Sequence, residues 1–507
     1  MAGSEEADQL RRQAAGLQAE GRFEEAFGLL RRRALLAPRD PGGWTDIAHL
    51  FSAARKPEEA LTAWDAALAL APEAPALLCG KAGVLQGLGR TGEAKALLER
   101  ALALAPGRLE AGFGLARLAV EAGDWDEAGR LAEGMAEGAA RPDVQWLTAR
   151  IALGRGELDE AQARAGRLAI DPRLGPEQRA DALLLQAEAL DRLGQAGRAF
   201  AAAAEGKALQ RRLFAERAAG REGAVARLDR LEAGLATADP GRWTARDAPA
   251  PAPGEPRVHA FILGFPRSGT TLLEQALAGH PEVVALEEPP TLAASAAEFL
   301  GSAEDLNRLA RLPPADVAAW RARYFAQVRA LGEAPSGKVL VDKAPAETSS
   351  LPLIARLFPG ARILFALRDP RDVVLSCFMS SFQMNALTYA FTDLRETAAC
   401  YGATMALAET CRRQLPLQLM EVRHDALVED FEAGLGAVAA LLDLEPHPGM
   451  TDVAATARGR GVRTPSAAQV RGGLTTSRLH RWRAYAAELG PVMPALGPWI
   501  RRFGYGP

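Results

Sequence analysis

Apolar positions over the first 200 residues recur every three or four places, the spacing that lines one stripe of an α-helix. The stripes come in paired blocks. Within each pair a small, helix-breaking turn leads into acidic residues and an alanine: GRFEEA ending at Ala26, KPEEA at Ala60, TGEA at Ala94, GDWDEA at Ala128 and GELDEA at Ala161. These alanines are 34, 34, 34 and 33 residues apart, and a drifted copy, GQAGRA, ends at Ala199. Pro38, Pro72 and Pro106 keep the same beat. In one unit the first helix is predicted to end near Gly89, and the second, EAKALLERALALAP, stops at Pro106, which cannot continue a helix. Residues 200–235 read as one or two capping helices. The pattern then changes. ARDAPAPAPGEP (245–256) reads as a semi-rigid extended linker. Beyond it, the short apolar runs VHAFILG (258–264), KVLVD (338–342), RILFAL (362–367) and QLMEV (418–422) alternate with helical patterns, as buried parallel strands do.

A period of about 34 residues with paired helices resembles the tetratricopeptide (TPR) repeat, in which each unit buries its apolar stripe only against its neighbours. The predicted fold is therefore an all-α TPR superhelix followed by a C-terminal α/β domain built on a parallel sheet. The expected domains are residues 1–235 (repeats with capping helices), 236–257 (Pro/Ala-rich linker) and 258–507.

Composition narrows the function classes. The chain has 507 residues, 48% hydrophobic, with a formal net charge of −3, so no basic nucleic-acid footprint exists. Cys79, Cys377, Cys400 and Cys411 form no CxxC pair and no zinc-like cluster, which fits a reducing compartment. The N-terminus is charged and lacks an apolar core, and no stretch of about 18 uncharged apolar residues occurs. A cytoplasmic protein without a membrane span is expected.

The first strand runs into GFPRSGTTLLEQALAGHP. Gly264 and Gly269 have the GxxxxG spacing of a loop whose amides cradle phosphate at a helix N-terminus. A Walker motif would continue with Lys and Ser/Thr; here Thr270 and Thr271 follow. The loop suits a phosphate but lacks the lysine of a kinase or NTPase.

GFPRSGTTLLEQALAGHPEV resembles the 5′-phosphosulfate loop of sulfotransferases that use 3′-phosphoadenosine-5′-phosphosulfate (PAPS). The similarity is to the branch containing tyrosylprotein sulfotransferases and bacterial TPR-sulfotransferases. The resemblance implies an α/β C-terminal P-loop-like sandwich with a parallel sheet, in which Arg267, Ser268, Gly269, Thr270 and Thr271 hold the 5′-phosphosulfate. It implies that Arg368 and Ser376, in ALRDPRDVVLSCF, grip the 3′-phosphate that separates PAPS from ATP. A guanidinium forking onto phosphate oxygens is physically apt for that task, and Arg371 lies on the same turn. In HPEVVALEEP the resemblance makes Glu288 the general base, with Glu287 expected to point elsewhere and His280 as the rival. An acceptor hydroxyl must lose its proton as it attacks sulfur, and a positioned carboxylate assists. Lys343 is implied at the leaving oxygen, assisted by Ser466, and Arg267 shares in that charge stabilisation. Arg481 stands where the branch has a cofactor-binding lysine, and His424 where relatives carry a tyrosine near the adenine. No metal is expected to be required.

The implied reaction is sulfuryl transfer from PAPS to a hydroxyl acceptor, releasing 3′-phosphoadenosine-5′-phosphate. The TPR concave face suggests a protein or peptide acceptor, tyrosine being one candidate. A TPR scaffold with an inactive transferase domain, or a nucleotide kinase, are the competing readings. Oligomeric state stays open, a homodimer included.

Overall fold

The computed structural model describes residues 2–135, 138–243, 254–460, 473–474, 476 and 479–506. Most of the Pro/Ala-rich stretch, 244–253, therefore lies outside the described residues. The chain forms two compact units, Met1–Glu157 and Leu158–Pro507.

The first unit is helical throughout: α1 (Ala2–Ala19), α2 (Phe23–Leu36), α3 (Pro41–Ala53), α4 (Pro57–Leu70), α5 (Pro75–Gly87), α6 (Thr91–Leu104), α7 (Leu109–Ala122), α8 (Trp125–Glu133) and α9 (Pro142–Arg155). Helices α1/α2, α3/α4, α5/α6 and α7/α8 pack as antiparallel pairs. Helices α2, α4 and α6 each stop two residues before Pro38, Pro72 and Pro106, because the residue ahead of a proline is driven out of the α region. The unit has overlapping small cores rather than one large one. Leu30, Ile47, Leu50 and Trp64 form one; Leu85, Leu98 and Leu115 form the next; Val144, Leu147 and Ile151 belong to a third. This is the expected arrangement when each repeat packs on its neighbours.

The turns inside the pairs share one conformation. Gly21, Gly89, Gly123, Gly156 and Gly194 have φ between 73° and 81°, in the left-handed region. Arg55 takes the same place at φ 58°. The next residue closes each turn by donating to the carbonyl five residues back, as Arg90 does to Leu85 and Lys56 to Phe51.

The second unit begins with α10 (Leu158–Ala169), α11 (Pro176–Arg192), α12 (Ala196–Ala218) and α13 (Ala224–Ala236). All six alanines of the sequence beat, from Ala26 to Ala199, are fully buried, and each is the fourth residue of its helix (α2, α4, α6, α8, α10, α12). A methyl side chain at these positions lets neighbouring helices approach closely.

Then come β1 (Val258–Gly264), α14 (Thr270–Ala278), β2 (Val283–Glu287), α15 (Ala293–Phe299), α16 (Ala303–Ala310), α17 (Pro314–Ala330), β3 (Val339–Lys343), α18 (Leu351–Leu357), β4 (Arg362–Leu367), α19 (Pro370–Met379), α20 (Ala386–Ala390), α21 (Leu394–Gln414), β5 (Gln418–Arg423), α22 (His424–Glu429), α23 (Phe431–Leu441) and α24 (Val453–Arg460). The five strands form one parallel sheet, order β2-β3-β1-β4-β5. Strand alternation builds two cores. Ala260 and Ile262 of β1 pack with Leu273, Leu277, Phe431 and Leu435 on one face. Phe261 and Leu263 pack with Phe325, Leu351 and Phe378 on the other. The second core also takes in Leu184 and Leu190 of α11 and Leu228, Leu231 and Leu235 of α13. Among the described residues, no helix is long and apolar enough to cross a membrane.

Candidate functional site

From β1 the chain crosses to β2 on one side and later, from β3, to β4 on the other. A crevice therefore opens at the carboxyl end of β1, where ligands of open parallel sheets bind. The loop between β1 and α14 sits there. Gly269 is the N-cap of α14 at φ 97° and brings no side chain to compete for the helix's first amides. A Cβ on Gly269 would lie 2.4 Å from Nδ1 of His424, so only glycine fits. Ser268, Thr270 and Thr271 are buried around the same turn. Arg267 is held at φ 72°, an uncommon conformation for a side chain of its size. Its Nε donates to Ser376 Oγ at 2.9 Å, joining the loop to α19 across 109 residues of sequence.

Arg368 leaves the end of β4 and is almost fully buried, its Nη2 3.6 Å from Asp372 Oδ2. Asp372 also accepts the backbone N–H groups of His480 (3.0 Å) and Trp482 (2.8 Å). Burial pushes the Asp372 carboxyl up, with the Arg368 charge pulling it back. Arg371 is otherwise engaged: it pairs with Asp369 at 2.8 Å, donates to Gly506 O and stacks on Trp482 with its guanidinium 3.6 Å from the ring centre.

His424 opens α22 with its ring enclosed. Burial, helped by the Arg368 charge, pushes its pKa down to about 3, so the imidazole is neutral. Nδ1 has no hydrogen-bond partner among the described residues.

On the other side of β1, Lys343 ends β3 with its side chain fully buried. Its Nζ lies 2.8 Å from Glu288 Oε1 and 4.0 Å from Glu287 Oε1. Glu287 thus faces the same lysine as its neighbour. The cause is local: Glu288 sits at φ 54°, which breaks strand alternation where β2 ends. His280 is occupied elsewhere. Its Nδ1 accepts from Glu282 N and its Nε2 meets Glu445 O, both at 3.1 Å.

Arg481 donates to Asp191 Oδ1 of α11 at 2.8 Å and lies over the Tyr485 ring. Ser466 lies outside the described residues. Three charged groups around the site escaped the sequence reading. Asp372 stands four residues after Arg368, a spacing that pairs side chains on a helix. Asp342 interrupts the apolar run before Lys343, and Glu274 is a fully buried acid on α14 bound by Arg460 at 2.5 Å. Either break in apolar pattern was a usable signal.

The lining suits a phosphate-bearing ligand. A glycine-shaped cradle, two threonines, a serine, three cationic side chains (Arg267, Lys343, Arg368) and a buried ring nitrogen with no hydrogen-bond partner among the described residues lie at the carboxyl end of the sheet. Fold and site thus define a parallel-sheet, phosphate-loop protein with arginine and threonine in place of the Walker lysine.

Residues 260–448 match the model of the Sulfotransferase family, and residues 85–151 match a tetratricopeptide repeat model. The chain carries a sulfotransferase-family domain together with TPR repeats. It is 26% identical over 257 residues to Protein-tyrosine sulfotransferase A of Caenorhabditis elegans, covering 49% of this chain and 67% of that one. It is 31% identical over 221 residues to Nodulation protein NoeE of Sinorhizobium fredii, covering 37% and 50%. A protein of Aquifex aeolicus is 29% identical over 246 residues, covering 46% and 32%. The chain thus spans from about a third to two thirds of the length of these relatives.

Proposed function

We propose that this chain transfers a sulfuryl group from PAPS to a hydroxyl on a protein or peptide, with tyrosine the leading candidate. The observation that carries the reading is the pairing of Lys343 and Glu288 beside a phosphate loop that lacks the Walker lysine. PAPS, when bound, supplies a sulfuryl group on a phosphate leaving group. Arg267, Ser268, Gly269, Thr270 and Thr271 hold its 5′ side, and Arg368 with Ser376 holds the 3′-phosphate. His424 offers the adenine a neutral, enclosed ring. Lys343 places a fixed positive charge where the leaving oxygen gains negative charge. Glu288 takes the proton from the acceptor hydroxyl. The usual values are about 4 for a glutamate and about 10 for a phenol, so the proton moves late, as the new bond forms. Ser466 and Arg481 are assigned supporting contacts with the leaving oxygen and the nucleotide. The repeats, by analogy with other concave repeat surfaces, hold the acceptor chain.

Calorimetry on the purified chain tests the nucleotide. Tight binding of 3′-phosphoadenosine-5′-phosphate with no binding of ATP is expected. Tight ATP binding with indifference to the 3′-phosphate would favour a nucleotide kinase.

A further inference from the structure

Glu288 adopts a backbone conformation that its side chain disfavours, immediately before Pro289, which restricts it further. Such strain persists only where the surroundings impose it. Two hydrogen bonds do so here. The Glu288 N–H donates to Lys343 O at 3.0 Å, and Thr291 Oγ1 donates to Asp342 Oδ2 at 2.7 Å. The turn from Glu288 to Thr291 is thus bracketed at both ends onto consecutive residues of β3, Lys343 and Asp342.

The bracket is anchored in depth. Asp342 and Thr291 are buried, and Tyr324 Oη, from α17, donates to the same Oδ2 at 2.7 Å. The Tyr324 hydroxyl in turn meets His259 Nε2 at 3.0 Å. An enclosed carboxylate is costly, and Asp342 Oδ1 has no hydrogen-bond partner among the described residues. An apolar residue would serve sheet packing better at this position in β3. Burial pushes the Asp342 carboxyl up to about 6, while the Thr291 and Tyr324 hydroxyls pull it down.

We infer that Asp342 and Thr291 are positioning residues: their hydrogen bond holds the Glu288 turn so that its carboxylate meets Lys343, and Tyr324 fixes Asp342 for that task. The inference rests on the proposed sulfuryl transfer for its catalytic meaning, while the clamp itself is a property of the fold.

Thr291→Val keeps the shape and removes the donor; Thr291→Ser restores it. Hydrogen–deuterium exchange of the full chain reads the clamp directly. The Glu288 amide should exchange about ten- to a hundredfold faster in Thr291→Val, as expected for losing a hydrogen bond to a charged group. In Thr291→Ser it should return towards the native rate. Transfer from radiolabelled PAPS to a mixed tyrosine-, serine- and threonine-containing peptide pool should fall by a similar factor in Thr291→Val. Binding of 3′-phosphoadenosine-5′-phosphate should hold, the melting temperature should fall modestly because buried Asp342 loses a partner, and serine should recover both the rate and the melting temperature. Native exchange at Glu288 in Thr291→Val overturns the clamp. Faster exchange with undiminished transfer overturns its role in positioning. Absence of any transfer by the native chain counts against the proposed function instead, and the exchange experiment still decides the clamp.

Discussion

Replacing Glu288 with glutamine removes one ionisable oxygen and little else. The amide still accepts from Lys343 Nζ across the present 2.8 Å, and Glu287, at 4.0 Å, remains to balance the lysine. The Glu288 side chain is 43% exposed but Lys343 is fully buried, so the lost ion pair should cost about 1–3 kcal/mol of stability, held to that range by the amide oxygen and Glu287. Nucleotide affinity should stay level or rise slightly, because a polyanion then meets one carboxylate fewer. Catalysis should fall by the usual yield of a general base, roughly 10²–10⁴-fold, or about 2.7–5.4 kcal/mol at about 1.36 kcal/mol per decade. The assay is label transfer from PAPS at saturating donor, beside calorimetry with 3′-phosphoadenosine-5′-phosphate. Glu287→Gln should lose less than about tenfold, since that carboxylate is the more distant from Lys343. Native turnover in Glu288→Gln would refute the assignment. Equal losses in the two variants would mean that the carboxylates act as a unit around Lys343.

Three further outcomes are expected. Arg368→Ala should weaken binding of 3′-phosphoadenosine-5′-phosphate by about 10- to 150-fold, from a charge-assisted contact of about 1.5–3 kcal/mol; titration calorimetry checks it, and unchanged affinity removes the residue from the site. Lys207 of α12 is buried against Ser380 O at 2.6 Å, and burial pushes its pKa from 10.5 to about 8. Between those values the unfolded chain holds a proton that the folded chain has released, so this group adds stability as pH rises; Lys207→Met should flatten that limb in denaturant titrations run from pH 8 to 10.5. Arg55→Gly should stabilise the helical unit by about 0.5–1 kcal/mol, the left-handed strain relieved less the extra freedom of glycine in the unfolded chain; a lowered melting temperature would contradict this.

The repeat beat was legible because each marker alanine sits at one fixed place in its helix and cannot be larger there. The phosphate loop was legible because strand, glycine spacing and helix start are contiguous in sequence. What stayed hidden is what folding alone brings together. The contact of Arg267 with Ser376 spans 109 residues, and no local spacing announces it. Strand β2 is five residues long and ends in a glutamate, too short a run to stand out from a turn. Its left-handed exit at Glu288 then turned Glu287 towards Lys343, against the alternation expected of an extended segment. The helical pattern of α11 and α13 matches that of the earlier repeats, yet their leucines share a core with the sheet. Periodicity specifies an apolar stripe but not the partner that covers it.

Sulfuryl transfer from PAPS can be followed by its label. The most direct measurement incubates the full chain with PAPS carrying radiolabelled sulfur and a cell lysate, then identifies the labelled molecules by mass spectrometry. Label is expected on hydroxyl groups of protein or peptide, abolished in Lys343→Ala and reduced in Glu288→Gln. Label that never leaves PAPS, while terminal phosphate passes from labelled ATP to an acceptor, would contradict sulfuryl transfer.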